Sequence, residues 1–447
     1  WYQRRVRGMT TVIVGCTHAG TAAASILAQN KKKVAIIERN KTVSFLSCGI
    51  AIGSAQNISM DKMFYSSPQQ LKELGVDVHM ESNVTHIDFD KKQVTFTQEG
   101  QTHHMEYENL ILACGSQPIV PPFAAQFTQK DNVFLCKNYD HANQIQQYIQ
   151  KNGKKTVSII GGGYIGIELA ESFVENGFET TVVEAESCIM KRYYDEDICC
   201  KAQQLLEKHH CKMVLNDKVT KITKLENEKL EIELEKQKLI QDAIVMCIGF
   251  KPNTAFVDLT KLENQRGAFV VNQHAMTSMK NVFAVGDCAM SNTTQGLMYA
   301  PLATNAIKQA IAAASYLVGK PISLYDYVLT SQLKIFGESF GQCGENSKNL
   351  KSITLDEYVL PEFMKENEKV LLRVYYEGNL IKGAQMYGGH SVGDLVQIVS
   401  LVIQHKITFE QLLLGDFAFN PWFGKPQHVL QRIAMKVLFN TDAEKFE

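Results

Sequence analysis

Between Cys16 and Cys114 the chain has a single cysteine, Cys48, in Ser44-Phe45-Leu46-Ser47-Cys48-Gly49-Ile50. A dithiol enzyme of this layout would carry a partner thiol five residues on, where this chain has Gly53. That excludes a local disulfide and leaves Cys48 the chemistry of a lone thiol, which cycles between thiolate and sulfenic acid in reaction with peroxide. Paired cysteine ligands are missing as well. Cys199-Cys200 and then Cys211 have no second pair at zinc-finger spacing, so no metal is expected. Most of the eleven cysteines fall in apolar runs such as Ile244-Val245-Met246-Cys247-Ile248 and read as reduced, packed thiols, the usage of a reducing cytoplasm.

An excess of one charge is absent: 46 Lys and Arg stand against 47 Asp and Glu, a formal net charge of −1. No overall field therefore favours nucleic acid or an anionic membrane, and neither is expected as a partner. No apolar run approaches the ~18–20 residues that span a bilayer. The basic start, Trp1 to Gly8, has no apolar h-region of a secretory signal; Met9 is expected to be the native start, with residues 1–8 outside the fold. No segment is of low complexity. With 447 residues, 45% hydrophobic and 21% charged, the chain has the composition of a globular protein too long for one core, and two or three domains are expected.

Residues 10–39 read as strand (Thr11 to Val14), Gly-rich turn, helix (about Gly20 to Gln29) and strand (Val34 to Ile37). Residues 156–184 repeat the plan, with Val157 to Ile160, Gly161-Gly162-Gly163, a helix to about Asn176, and Thr181 to Glu184. Two such units imply two dinucleotide sites on parallel α/β, Rossmann-like domains. Alternating segments, Val94-Thr95-Phe96-Thr97 and Leu230-Glu231-Ile232-Glu233-Leu234, suggest half-exposed antiparallel strands. Pro118, Pro121 and Pro122 mark a linker, and Pro252-Asn253 a return to the first domain. From about residue 326, strands followed by helices (Val370 to Tyr376, then Val392 to Gln404) read as a third, α+β module without a nucleotide fingerprint.

Gly161, Gly163 and Gly166 satisfy G-x-G-x-x-G between strand and helix: the first permits the tight turn, the second lets a pyrophosphate approach, and the third allows close helix–strand packing. The pyrophosphate is then expected on the helix N-terminus. Glu184, 23 residues after Gly161, suits a carboxylate on a ribose diol. Ala185-Glu186-Ser187 supplies no arginine behind it, which favours NADH over NADPH. The first fingerprint, Gly15-Cys16-Thr17-His18-Ala19-Gly20, has Thr17 at the middle glycine position and by itself is also compatible with a structural turn. Glu38, again 23 residues on, supports a dinucleotide. So does Asn281-Val282-Phe283-Ala284-Val285-Gly286-Asp287, a strand ending in Gly-Asp of the kind that holds the ribityl and pyrophosphate part of FAD. Leu110 to Ser116, with Cys114 and Gly115 at its turn, resembles the short strand-and-turn that two-site flavoproteins place before the chain crosses to the NAD domain.

These motifs resemble the pyridine nucleotide–disulfide oxidoreductase superfamily, within it the single-cysteine branch of NADH oxidases, NADH peroxidases and coenzyme A-disulfide reductases. The resemblance runs from Met9 to about Leu438. It includes Phe64-Tyr65-Ser66-Ser67-Pro68, Gly161 to Glu171, Cys247 to Thr254 with Gly249, and Pro301 to Ala306 with Ala303 and Thr304. It implies an FAD-binding domain at 9–118 and 247–325, an NAD-binding domain at 119–246 and a C-terminal dimerisation domain at 326–447. Tyr164 is either the aromatic gate over the flavin or a helix–sheet packing residue; Glu168, one turn on, stands likewise. Ile165 completes the expected cofactor-binding set of the second fingerprint. His18 stands where the oxidases and peroxidases carry a histidine, and with Cys48 forms the expected catalytic pair, a donor to the thiolate and to departing hydroxide. A histidine in a turn is otherwise a capping or solvated residue.

The activity the resemblance implies is an FAD-dependent, homodimeric NADH oxidase that reduces O2 to water with two NADH, an oxygen detoxification. The alternative is an NADH peroxidase acting on H2O2; Ile307, where peroxidases carry arginine, favours the oxidase. A coenzyme A-disulfide reductase would draw on Tyr387 and form a mixed disulfide at Cys48. A redox sensor with negligible turnover is the alternative from another class. The aromatic loop Phe417 to Pro426 is expected to reach from the second subunit toward Cys48, with Trp422 where His or Ala is commoner. The helix after the strand near Ser339 is expected to be shortened around 344–350.

Overall fold

A computed structural model describes residues 10–152, 155–325, 327–361, 363–364 and 367–440. Met9, the expected start, and residues 1–8 lie outside the described residues. The chain divides into two compact units, residues 1–153 with 245–325, and residues 154–244 with 326–447.

The first unit is built on a parallel sheet in the order Val282–Ala284, Asn109–Leu112, Thr10–Val14, Lys33–Ile37, Asp77–His79. Its central strand, Thr-Thr-Val-Ile-Val, is buried along most of its length. β-Branched side chains suit such a strand, covered on both faces by crossovers. Thr10–Val14 pairs Val12 with Ala35 on one side and with Leu110 on the other. Helix His18–Gln29 enters two residues earlier than the sequence suggests. Its buried Ala19, Ala23 and Ala24 join Ala306, Ala310 and Ala313 of helix Ala303–Leu317 in one core. Small side chains let the two helix axes approach closely above the sheet. Gln93–Gln98, expected to be half-exposed, is the middle strand of an antiparallel three-stranded sheet and buries Val94 and Phe96.

In the second unit Thr156–Ile160, Glu179–Val183 and Lys212–Val214 form a parallel ladder carrying helix Tyr164–Glu175. Leu230–Leu234 is the central strand of an antiparallel sheet, with Leu230, Ile232 and Leu234 buried, as its alternation requires. The C-terminal part has a five-stranded antiparallel sheet, ordered Thr330–Ile335, Glu338–Gly344, Leu380–Gly388, Lys369–Glu377, Lys351–Tyr358. Helices Val392–Gln404, Phe409–Leu413 and Val429–Phe439 accompany it. Residues 345–350 contain no helix. Arg373 ties this sheet to the parallel-ladder part of the same unit: its guanidinium donates to Asp195 at 2.8 Å and to Asp197 at 2.8 and 2.7 Å.

Candidate active site

The two fingerprints fold into the same local geometry. Gly15 and Gly161 both lie in the left-handed region, at φ 98° and 111°. Each amide closes its turn on the neighbouring strand, Gly15 onto the Ile37 carbonyl at 2.9 Å and Gly161 onto that of Val183 at 2.8 Å. A Cβ on Gly20 would stand 2.0 Å from the Gly15 carbonyl oxygen, and one on Gly166 2.0 Å from that of Gly161. Both helices therefore sit against their turns as only glycine permits. At Gly163 a Cβ would meet no atom within 4 Å, so the backbone there is open to a ligand. Thr17, which replaces the corresponding glycine in the first unit, precedes helix His18–Gln29 and caps it only through its carbonyl, which accepts from Thr21 N–H at 2.9 Å.

The two acidic residues also match. Each follows the second strand and accepts an amide hydrogen from the glycine turn: Glu38 from Cys16 at 2.6 Å and Glu184 from Gly162 at 2.7 Å. Glu38 is buried, and burial pushes its carboxyl above the usual range against the opposing pull of the Asn40 and Cys16 amides. A glycine turn with a carboxylate at the end of the following strand is the arrangement of a dinucleotide site. The residues present fit one dinucleotide in each unit.

Around the first fingerprint the structure gathers the flavin-type residues within one unit. Gly286 lies at φ 79°, and its amide donates to the buried Gln309 side chain at 2.7 Å. Asp287 accepts Ser116 Oγ at 2.6 Å and Lys137 Nζ at 2.8 Å on one oxygen, leaving the other free of these partners. Gly115 and Gly249 turn the chain in the left-handed region, at φ 66° and 105°. The neighbouring Cys288 thiol and burial raise the Cys114 thiol well above its ordinary pKa. Ala303 and Thr304 open helix Ala303–Leu317. Lys137, which sequence reasoning missed, lies after Val133–Leu135 in no motif; only the folded chain brings it to Asp287, with its ammonium 4.5 Å from the Phe250 ring centroid.

Cys48 is exposed, in the 3-10 turn Ser47–Gly49 that leads into the short helix Ile50–Ala55. His18 opens its helix with Nε2 buried and without a hydrogen-bond partner among the described residues. Burial lowers its pKa, Asp287 opposing and Lys137 adding to the effect, so at neutral pH it is a neutral imidazole. An unpaired buried ring nitrogen costs stability unless a ligand meets it, which again fits an added group.

In the second unit, the Tyr164 hydroxyl bonds Ser331 at 2.7 Å and Tyr194 at 3.0 Å, and its ring stacks on Tyr193. Ile165 is half-buried in the same first turn. Glu168 is pushed up to about 7, chiefly by burial and then by Glu171. Its folded pKa lies above the ordinary carboxyl value, so the folded state keeps a proton that the unfolded chain has lost. Stability from this site is then full below the unfolded pKa, falls as pH rises from about 4.5 to about 7, and is flat above. Glu168→Gln removes that loss. It is expected to raise thermal stability at pH 8, by up to about 3 kcal/mol, and to leave it unchanged at pH 4.5. Thermal unfolding at the two pH values checks this.

Residues 9–314 match the pyridine nucleotide-disulphide oxidoreductase family. The chain belongs to it. An NADH oxidase of Enterococcus faecalis is 36% identical over 97% of this chain and 100% of its own length. The solved water-forming NADH oxidase of Lactobacillus brevis, bound to NADH, superposes with a TM-score of 0.91 at 31% identity, covering 98% of this chain and 100% of that one. An NAD-dependent persulfide reductase from A. fulgidus shares the fold, with a TM-score of 0.90 at 23% identity over 97% of this chain and 83% of that one. Membership confirms the expected Rossmann-type α/β fold and makes the chain an oxidoreductase that works with a flavin and a pyridine nucleotide.

Proposed function

We propose that this chain is an FAD-dependent NADH oxidase that reduces O2 to water, with Cys48 and His18 as its catalytic pair. The observation that carries the reading is an exposed thiol, Cys48, in the same unit as the first dinucleotide turn, with a second such turn in the other unit. Residues 9–118 and 247–325 hold FAD through Gly15, Thr17, Gly20, Glu38, Cys114, Gly115, Gly249, Gly286, Asp287, Ala303 and Thr304, with Lys137 added. Residues 119–246 hold NADH through Gly161, Gly163, Tyr164, Ile165, Gly166 and Glu184. When bound, FAD passes electron pairs from NADH to O2 and to the oxidised sulfur.

The chain's own work lies at Cys48. Its thiolate attacks one oxygen of hydrogen peroxide; the S–O bond forms as the O–O bond breaks, and the departing hydroxide takes a proton from solvent to give water. His18, neutral, donates its N–H to the oxygen on sulfur and holds it in place. The electron pair of a second NADH then cleaves the S–O bond, releasing the oxygen as water and restoring the thiolate. Retention of peroxide at sulfur is what makes water the product.

Residues 326–447 are proposed to form a homodimer interface. Phe419, Trp422 and Phe423 support it, since these large apolar side chains are exposed on the loop expected to face a partner. Cytoplasmic placement follows the reduced cysteines and the supply of NADH. The test is NADH consumption on purified holoprotein, with O2 uptake and H2O2 followed in parallel. Two NADH per O2 with no peroxide released is the expected result. Turnover on added H2O2 without O2 uptake would make the protein a peroxidase instead.

A further inference from the structure

Tyr65 has no part in the catalytic pair, yet it touches the surroundings of both members. We propose that Tyr65 is a positioning residue for His18, its ring fixing the plane of the imidazole relative to Cys48; the inference rests on the catalytic reading of His18 given above. The two rings stack, with centroids 5.2 Å apart and planes 7° from parallel. Burial raises the pKa of the Tyr65 hydroxyl, and the Thr21 and Ser44 side chains oppose the rise. Those two side chains bond each other at 2.7 Å.

The Thr21–Ser44 bond joins the two catalytic segments. Thr21 lies three residues after His18 on one helix, and Ser44 four residues before Cys48. Tyr65 N–H donates to the Ser44 carbonyl at 3.3 Å and Leu46 N–H to that of Met63 at 2.8 Å, so the Tyr65 strand is laced to the segment that delivers Cys48. Ser44 is fully buried and held in the left-handed region at φ 58°, a conformation a serine keeps only where its surroundings fix it. Tyr65 itself remains 46% exposed. A tyrosine that served only the core would be buried; this one lies flat against a half-buried histidine. Aromatic stacking of this kind orients as well as stabilises.

The groups that face His18 are Asp287 and Lys137, and those that face Tyr65 are Cys16 and Cys48. Tyr65 shields the imidazole from water, and its removal is expected to bring the His18 titration midpoint up toward 6.5. A double-mutant cycle on the holoprotein tests the proposal, with Tyr65→Leu, His18→Gln and the double variant. It is read by O2-dependent NADH turnover and by NMR titration of His18, whose signal is the one missing from His18→Gln. Tyr65→Leu is expected to lower turnover about tenfold, to raise the midpoint, and to add nothing to His18→Gln. Tyr65→Phe keeps the ring and is expected to stay within about threefold of the parent with its midpoint unmoved.

Anaerobic reduction of bound flavin by NADH checks folding and cofactor content in each variant, and Tyr65→Met replaces Tyr65→Leu if the latter loses flavin. Additive losses, or a midpoint that Tyr65→Leu does not move, would overturn the proposal. A His18→Gln variant with parental turnover removes the catalytic reading of His18 instead, and the midpoint alone then decides whether Tyr65 governs the imidazole.

Discussion

On the proposed mechanism, Cys48→Ser is expected to change the product of O2 reduction from water to peroxide. The variant keeps consuming O2 with NADH, since both dinucleotide cradles are untouched, but the serine hydroxyl is not ionised at neutral pH and cannot attack peroxide. NADH used per O2 falls from about two to about one, and nearly one H2O2 appears per O2 consumed, against almost none in the parent. Cys48 is exposed and in a 3-10 turn, so the exchange of sulfur for oxygen is expected to cost no more than about 0.5 kcal/mol of stability. A variant that still makes only water would sink the sulfenic acid mechanism, because nothing else in the proposed cycle holds the peroxide.

The second large effect separates two glycines of one fingerprint. Gly166→Ala would place a methyl carbon 2.0 Å from the Gly161 carbonyl oxygen. Backbone meets backbone there, so no rotamer relieves the clash, and a loss of about 3 kcal/mol or more is expected. Gly163→Ala meets no protein atom within 4 Å. Its melting temperature and flavin content are expected to match the parent, while affinity for NADH falls about 10- to 100-fold, because the methyl occupies the approach of the pyrophosphate. Thermal unfolding and NADH titration of the two variants read the difference. Parental NADH affinity in Gly163→Ala would mean that the pyrophosphate lies elsewhere.

Which features were legible in the sequence follows from how far apart their partners lie along the chain. Gly15 with Gly20, Gly161 with Gly166, and each turn with its acidic residue are local: strand, turn and helix bring them together within one βαβ unit, so spacing carries the geometry. The same locality made the helix and strand positions readable to within a few residues; His18–Gln29, for example, begins where Thr17 turns the chain, two residues ahead of the apolar pattern. Gly286-Asp287 was legible for another reason, since a glycine in the left-handed region before an acidic residue at a strand end leaves a recognisable dipeptide.

Lys137 shows the opposite case. It meets Asp287 across 150 residues and stands in no repeating pattern, so its role exists only once the chain has folded. Tyr65 was visible as part of Phe64 to Pro68 but carried no assignment, because stacking on His18 depends on strand pairing between Ser44 to Leu46 and Met63 to Tyr65. Glu168, open in the sequence between the same two roles as Tyr164, is pushed up to about 7 chiefly by burial, which no local pattern encodes. Tyr164, left open between gate and packing, proves to have its hydroxyl engaged by Ser331 and Tyr194.

The sequence by itself determined the two nucleotide cradles, the lone thiol and the order of the elements, since each is set by backbone conformation or by chemistry within a short stretch. Tertiary structure alone decided which distant side chains surround them, how buried His18, Glu38 and Glu168 are, and that residues 154–244 pack into one unit with 326–447. The physical reason is that burial and long-range pairing depend on atoms brought together from many parts of the chain, and no local pattern encodes them.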